Sequence, residues 1–110
     1  MKTLNLTLKK KWFDMIASGE KKEEYRELKD YWKKRLISNY EELEFEEWGT
    51  VYFNDFDTIT FRNGHAKDAP TMVIECEGIT IGKARPEWSD NWEGDVFRIK
   101  LGKIISNKSK

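Results

Sequence analysis

Cysteine is nearly absent from this chain: Cys76 is the only one in 110 residues. A single thiol excludes an internal disulfide and any cysteine-only zinc site. Its place inside an apolar run reads as a buried, inert thiol rather than a nucleophile. Histidine is equally scarce, with His65 alone beside a glycine turn. No Ser-His-Asp or Cys-His arrangement can be assembled from that supply. With no CxxC pair and no calcium-loop pattern, neither a metal site nor a cofactor is expected. His65 itself reads as a solvent-facing loop residue rather than a general base. The glycines are scattered singly, which leaves no glycine-rich phosphate loop. No run is apolar for long enough to span a membrane, and the first residues lack the apolar segment of a secretory signal. The expectation is a cytoplasmic protein with no membrane partner. Net charge is missing too, because 20 Lys and Arg balance 20 Asp and Glu. A neutral chain lacks the global field of a non-specific nucleic-acid binder.

Aromatic residues are well supplied, at 14% with five Trp, and each contributes much burial. A chain of this length forms about one domain and holds a core without metal or disulfide staples. The charges are segregated although they balance. Lys9-Lys10-Lys11 and Lys33-Lys34-Arg35 are basic, Glu41 to Glu47 is acidic, and Lys108 and Lys110 close the tail.

Leu4, Leu6 and Leu8 alternate with polar residues, which predicts a half-buried strand. From Lys9 the period changes: Trp12, Met15 and Ile16 recur at helical spacing, widened by Phe13 and Ala17. Gly19 supplies the left-handed stop, so the helix is predicted over about Lys9 to Ser18. Glu23 to Glu27 reads as a short strand with Glu24 and Arg26 on one face and Tyr25 on the other. Asp30 is the expected N-cap of a second helix that buries Trp32, Leu36 and Ile37, with Tyr31 and Arg35 sharing a face. Asn39 to Trp48 reads as a loop or irregular helix.

From Thr50 the pattern favours strands. Val51-Tyr52-Phe53 is a short apolar run, and Asn54-Asp55 marks a turn. Ile59 and Phe61 alternate up to the turn at Asn63-Gly64, and His65 to Pro70 is a loop. Met72 to Ile81 is the longest strand, and its inward set moves from Ile74 and Cys76 to Ile79 and Ile81 across Gly78, which predicts a bulge. Arg85 to Asp95 is an aromatic loop in which at least one of Trp88 and Trp92 plugs the core. Phe97, Ile99 and Leu101 form the last strand. Two early helices and five to six short strands make an α+β chain, and strands without helical crossovers favour an antiparallel, barrel-like sheet.

The stretch Gly19-Glu20-Lys21-Lys22-Glu23-Glu24-Tyr25-Arg26 carries the best candidate chemistry. A charge run is usually a solvated face whose ion pairs contribute roughly 0–1 kcal/mol. Against that, Lys21 follows a helix stop that can aim its ammonium into a cleft. Glu24 and Arg26 share a strand face, where a partly buried cluster suits polar recognition.

Gly19-x-Lys21-x-x-Glu24-x-Arg26, after a strand and the Trp12-Phe13-x-x-Ile16 helix, resembles the signature of the ASCH family (activating signal cointegrator homology). Tyr31-Trp32 with Arg35, and Thr60-Phe61-Arg62-Asn63-Gly64, resemble elements of its small bacterial and phage-type members. The resemblance implies a PUA-like β-barrel with a cleft by the first helix, and as ligand an RNA strand, a nucleotide or a modified nucleoside. Its implied ligand-binding residues are Lys21, Glu24, Arg26, Tyr31, Arg35, Arg62 and Asn63.

One branch of that family resembles an amidohydrolase of acylated cytidine, using a lysine and a threonine of the motif and a glutamate elsewhere. Lys21 matches the lysine, but Glu24 stands in place of the threonine. A carboxylate nucleophile would give an anhydride, so the threonine route is disfavoured. Glu24 either acts as a base activating water, with Lys21 as its acid-base partner, or only pairs with Lys21 or Arg26; Lys21 and Glu24 are the candidate catalytic residues. Glu75 and Glu77 are strand residues that could line a barrel mouth. Arg62 and Asn63 either satisfy backbone groups or contact ligand. Tyr31 and Arg35 either clamp a base and phosphate or pack the second helix.

Overall fold

The computed structural model describes residues 1–43, 50–90 and 93–108. Trp92 and most of the acidic stretch after Glu41 lie outside them. The elements follow as β1 (Thr3–Leu8), α1 (Lys10–Ala17), β2 (Glu23–Glu27), α2 (Asp30–Leu36), α3 (Tyr40–Leu43), β3 (Thr58–Asn63), β4 (Thr71–Lys83), a 3-10 turn (Pro86–Trp88) and β5 (Asp95–Lys108). The strands form one five-stranded sheet in the order β1-β3-β4-β5-β2. The fold class is therefore α+β, and none of the described helices is long and apolar enough to cross a membrane.

The sheet is mixed, which corrects the antiparallel expectation. β1 runs parallel to β3, with Thr3 opposite Thr58 and Leu8 opposite Asn63, while β3 and β4 are antiparallel. A parallel neighbour needs a long crossover, and the segment between β1 and β3 supplies one, since it contains α1, β2 and α2. Alternation of apolar residues reveals which face a strand buries, but not the direction of its partner.

By its contacts the chain divides into two compact units. The first comprises Met1–Glu24, Phe56–Gly78 and Ile99–Lys110. Here Leu4 and Leu6 lie opposite Ile59 and Phe61, and all four are buried. The threonines at the start of the pair hydrogen-bond to each other, Thr3 Oγ1 to Thr58 Oγ1 at 2.9 Å. α1 presses Trp12, Phe13 and Ile16 into this core. Cys76 is half-buried, not buried as its apolar neighbours implied; it lies between Glu75 and Glu77, both exposed.

The second unit comprises Tyr25–Asp55 and Ile79–Arg98. Phe97 is fully buried and meets Phe53 edge-on at 6.2 Å. Trp88 is buried as the expected plug, with the Arg85 guanidinium 4.7 Å from its ring centroid. The Arg85 N–H donates to the Tyr25 hydroxyl at 3.2 Å. Val51 and Tyr52 are exposed and form no strand of their own; only Phe53 makes a bridge, to Ile37.

Gly78 has φ +128°, a backbone region that suits glycine. Met72 and Ile74 are buried before it and Ile79 after it, so the inward set changes parity there as expected. Ile81 does not follow: it is 39% exposed. β5 runs well past Leu101, and its last residues, including exposed Ile105, lie in strand conformation.

Candidate functional site

Lys21 is set in place by the way α1 ends. Gly19 adopts φ +84°, and its N–H donates to the Ile16 carbonyl at 3.0 Å. The Lys21 N–H reaches back to the Met15 carbonyl at 2.9 Å, and the Ser18 hydroxyl donates to that same oxygen at 3.0 Å. These bonds satisfy carbonyls that a helix end otherwise leaves orphaned. One residue later the Lys22 carbonyl accepts the Leu101 N–H at 3.0 Å. The backbone is therefore fixed on both sides of Lys21, by the helix before it and by β5 after it.

The side chain is held as firmly. Lys21 Nζ lies 2.9 Å from Glu24 Oε1 and 4.2 Å from the centroid of the Trp12 ring. Lys21 is 2% exposed and Glu24 4%. An ammonium and a carboxylate removed from water cost several kcal/mol each in hydration, which their mutual attraction recovers only with good geometry. The indole face adds a cation–π attraction, worth about 2 kcal/mol or more when desolvated. Lys11 Nζ also stands over Trp12, at 4.4 Å, so this one ring serves two ammonium groups. Chemically, the arrangement is a buried ion pair whose ammonium and carboxylate are in direct contact.

In the second unit, α2 carries a different cluster. Asp30 is the first helical residue and Lys29 occupies the N-cap, which corrects the expected cap by one position. The Asp30 carboxylate accepts the Tyr40 hydroxyl at 3.2 Å instead of a backbone N–H, and an acid in the first turn still complements the helix dipole. At the other end Asn54 closes the helix: its N–H donates to the Leu36 carbonyl and its Nδ2 to the Arg35 carbonyl, both at 2.8 Å. On this helix the Arg35 guanidinium lies 5.3 Å from the Tyr31 ring centroid. Tyr31 and Trp32 meet edge-on at 4.8 Å. From β2, Arg26 stands 5.2 Å from the Trp32 centroid and donates to the Tyr25 carbonyl at 2.7 Å.

Arg62 and Asn63 end β3, and their bonds go to the loop that follows. Arg62 Nη2 donates to the Ala66 carbonyl at 2.5 Å, and the Asn63 N–H to the Pro70 carbonyl at 2.9 Å. Arg62 Nε is buried without a hydrogen-bond partner. His65 is exposed in that loop, as expected. Among the described residues no group of three His, Cys, Asp or Glu is placed to hold a metal ion.

Of the residues singled out from sequence, Lys21 and Glu24 are brought into contact, and so are Tyr31 and Arg35. The expected strand faces at β2 hold only in part, because Glu24 and Tyr25 are both buried. Sequence reasoning missed the parts played by Trp12 and Trp32. Each was assigned only to the apolar side of its helix, yet each carries a cation on its ring. No protein-family model matches the chain, and neither curated proteins nor solved structures gave a match to it.

Proposed function

We propose that the chain is an RNA- or nucleotide-binding domain of the ASCH type, a PUA-like barrel whose ligand cleft is formed beside the Gly19–Arg26 stretch. The observation that carries this reading is the ion pair of Lys21 and Glu24, buried against Trp12. Replacing such a pair by apolar residues of similar volume is often neutral or stabilising, so stability alone does not account for it. Buried charges held in fixed geometry are a recurrent property of functional sites. The order strand, helix, glycine stop and lysine is also the order of the resembled motif.

A second reading is a small hydrolase of a modified nucleoside or RNA. It is favoured by the 2.9 Å contact between Lys21 Nζ and Glu24 Oε1. In that scheme Glu24 takes a proton from water as the water attacks the electrophilic centre, the acyl carbon of a modified nucleoside or the phosphorus of an RNA phosphodiester, and Lys21 gives one to the leaving group.

A thermal-shift screen over nucleosides, nucleotides, acylated cytidines and short RNAs tests the first reading. A ligand that binds the native state raises its midpoint by mass action. The comparison is a double variant, Lys21→Met with Glu24→Met, which removes both charges together. The expected result is a ligand that shifts the wild type but not the double variant. Equal shifts would make the pair structural. Any ligand found is then incubated with wild type and Glu24→Gln: turnover by the wild type that is lost in the variant supports the hydrolase, and unchanged turnover removes Glu24 from the chemistry.

A further inference from the structure

The ion pair leaves the surface of α2 unaccounted for. Tyr31 is 60% exposed, and a single exposed aromatic is ordinary on a protein surface. Here, however, the ring is one of four groups in series. The Arg35 guanidinium lies over Tyr31, Tyr31 meets Trp32 edge-on, and Trp32 lies beneath the Arg26 guanidinium. The last turn of the helix is wholly basic, with Lys33, Lys34 and Arg35. The acids nearest in sequence are already engaged, Asp30 with the Tyr40 hydroxyl and Glu27 with Lys29. Asn54 pins the Arg35 and Leu36 carbonyls, so the aromatic and the cations sit on an anchored helix rather than a loose one.

An exposed ring flanked by guanidinium and ammonium groups offers a face for a base and charge for phosphates, a combination that serves single strands. A duplex has no unstacked base to present to Tyr31. Cations spread over the last turn of the helix, Lys33, Lys34 and Arg35, suit several phosphates along a strand better than the adjoining phosphates of one mononucleotide.

We infer that α2 is the contact surface for single-stranded RNA: an unpaired base stacks on Tyr31 while Arg35 and Lys34 bind the flanking phosphates. The inference rests on the nucleic-acid reading above and narrows it to an unpaired stretch of strand.

The test is fluorescence anisotropy with labelled ten-nucleotide oligouridylate and oligoadenylate RNAs and an RNA duplex of the same length, with uridine monophosphate as competitor. Tyr31→Ala weakens oligonucleotide binding by about fivefold or more, the loss of one base–aromatic stack, while Tyr31→Phe retains it. Arg35→Gln weakens binding and lowers the slope of log affinity against log salt by about 0.7, one phosphate contact on a single strand. Far-ultraviolet circular dichroism checks that these surface variants keep their helix. Wild-type affinity in Tyr31→Ala and Arg35→Gln, or duplex binding as tight as single-strand binding, overturns the inference. If the wild type binds the mononucleotide but the oligonucleotides no more tightly, the α2 surface is excluded and the nucleotide reading survives. If it binds neither, both fall.

Discussion

At the scale of single residues, what the pair of Lys21 and Glu24 does for stability can be separated from the ligand binding proposed for it. Lys21→Ala leaves the Glu24 carboxylate buried and uncompensated, and is expected to cost about 3–5 kcal/mol in urea unfolding. The double variant, Lys21→Met with Glu24→Met, is expected to recover most of that loss, since neither charge remains. A single variant as stable as the wild type would mean that water reaches the carboxylate. Loss of ligand binding in Lys21→Ala alone would therefore be ambiguous, and the double variant is the informative one. Lys21 was legible from the helix stop before it and Glu24 from its strand face, but their pairing was only one option beside a pair of Glu24 with Arg26. Their depth was not, because a run of alternating charges reads as solvent-facing until the core around it is known. Trp12 shows the same limit: helical period places it on the buried side of α1, but nothing local says that two ammonium groups will lie on its ring.

At the scale of elements, β1, α1, β3 and β4 were readable because their apolar residues repeat at the period of the structure they form. Pairing was not, because the parallel match of β1 with β3 joins residues 55 apart, as the bond between Thr3 and Thr58 shows. The end of β5 escaped notice because Leu101 is its last buried apolar residue, so the final residues lack an inward pattern. Two variants probe the elements directly. Gly78→Ala puts a side chain where φ is +128°, with nothing within 4 Å of the new Cβ, so the penalty is purely one of backbone conformation. A loss of more than about 1 kcal/mol is expected, measured by the urea midpoint; no loss would mean that β4 can straighten there. Asn54→Ala removes the bond to the Arg35 carbonyl and is expected to cost about 0.5–1.5 kcal/mol. Faster amide exchange confined to α2 would show that Asn54 anchors this helix, whereas uniform change would assign the loss elsewhere.

At the scale of the whole molecule, the charge balance sets an expectation for RNA. A chain of zero net charge lacks the field for long-tract binding, so affinity should fall with salt at a shallow slope, that of a few phosphates at about 0.7 each. An affinity indifferent to salt would exclude phosphate contacts altogether. The two compact units are threaded through each other in sequence. β2 passes from one to the other between Glu24 and Tyr25, β4 between Gly78 and Ile79, and β5 between Arg98 and Ile99. No cut of the chain releases either unit as a continuous segment, and thermal unfolding followed by far- and near-ultraviolet circular dichroism should show coincident transitions. The same threading bears on the order of events during synthesis, which proceeds at about 5–20 residues per second. β1 and α1 leave the ribosome before the segment from Ile99 onward, on which their unit also draws. Until that segment has been translated, β1 and α1 lack part of the unit in which their apolar residues are buried.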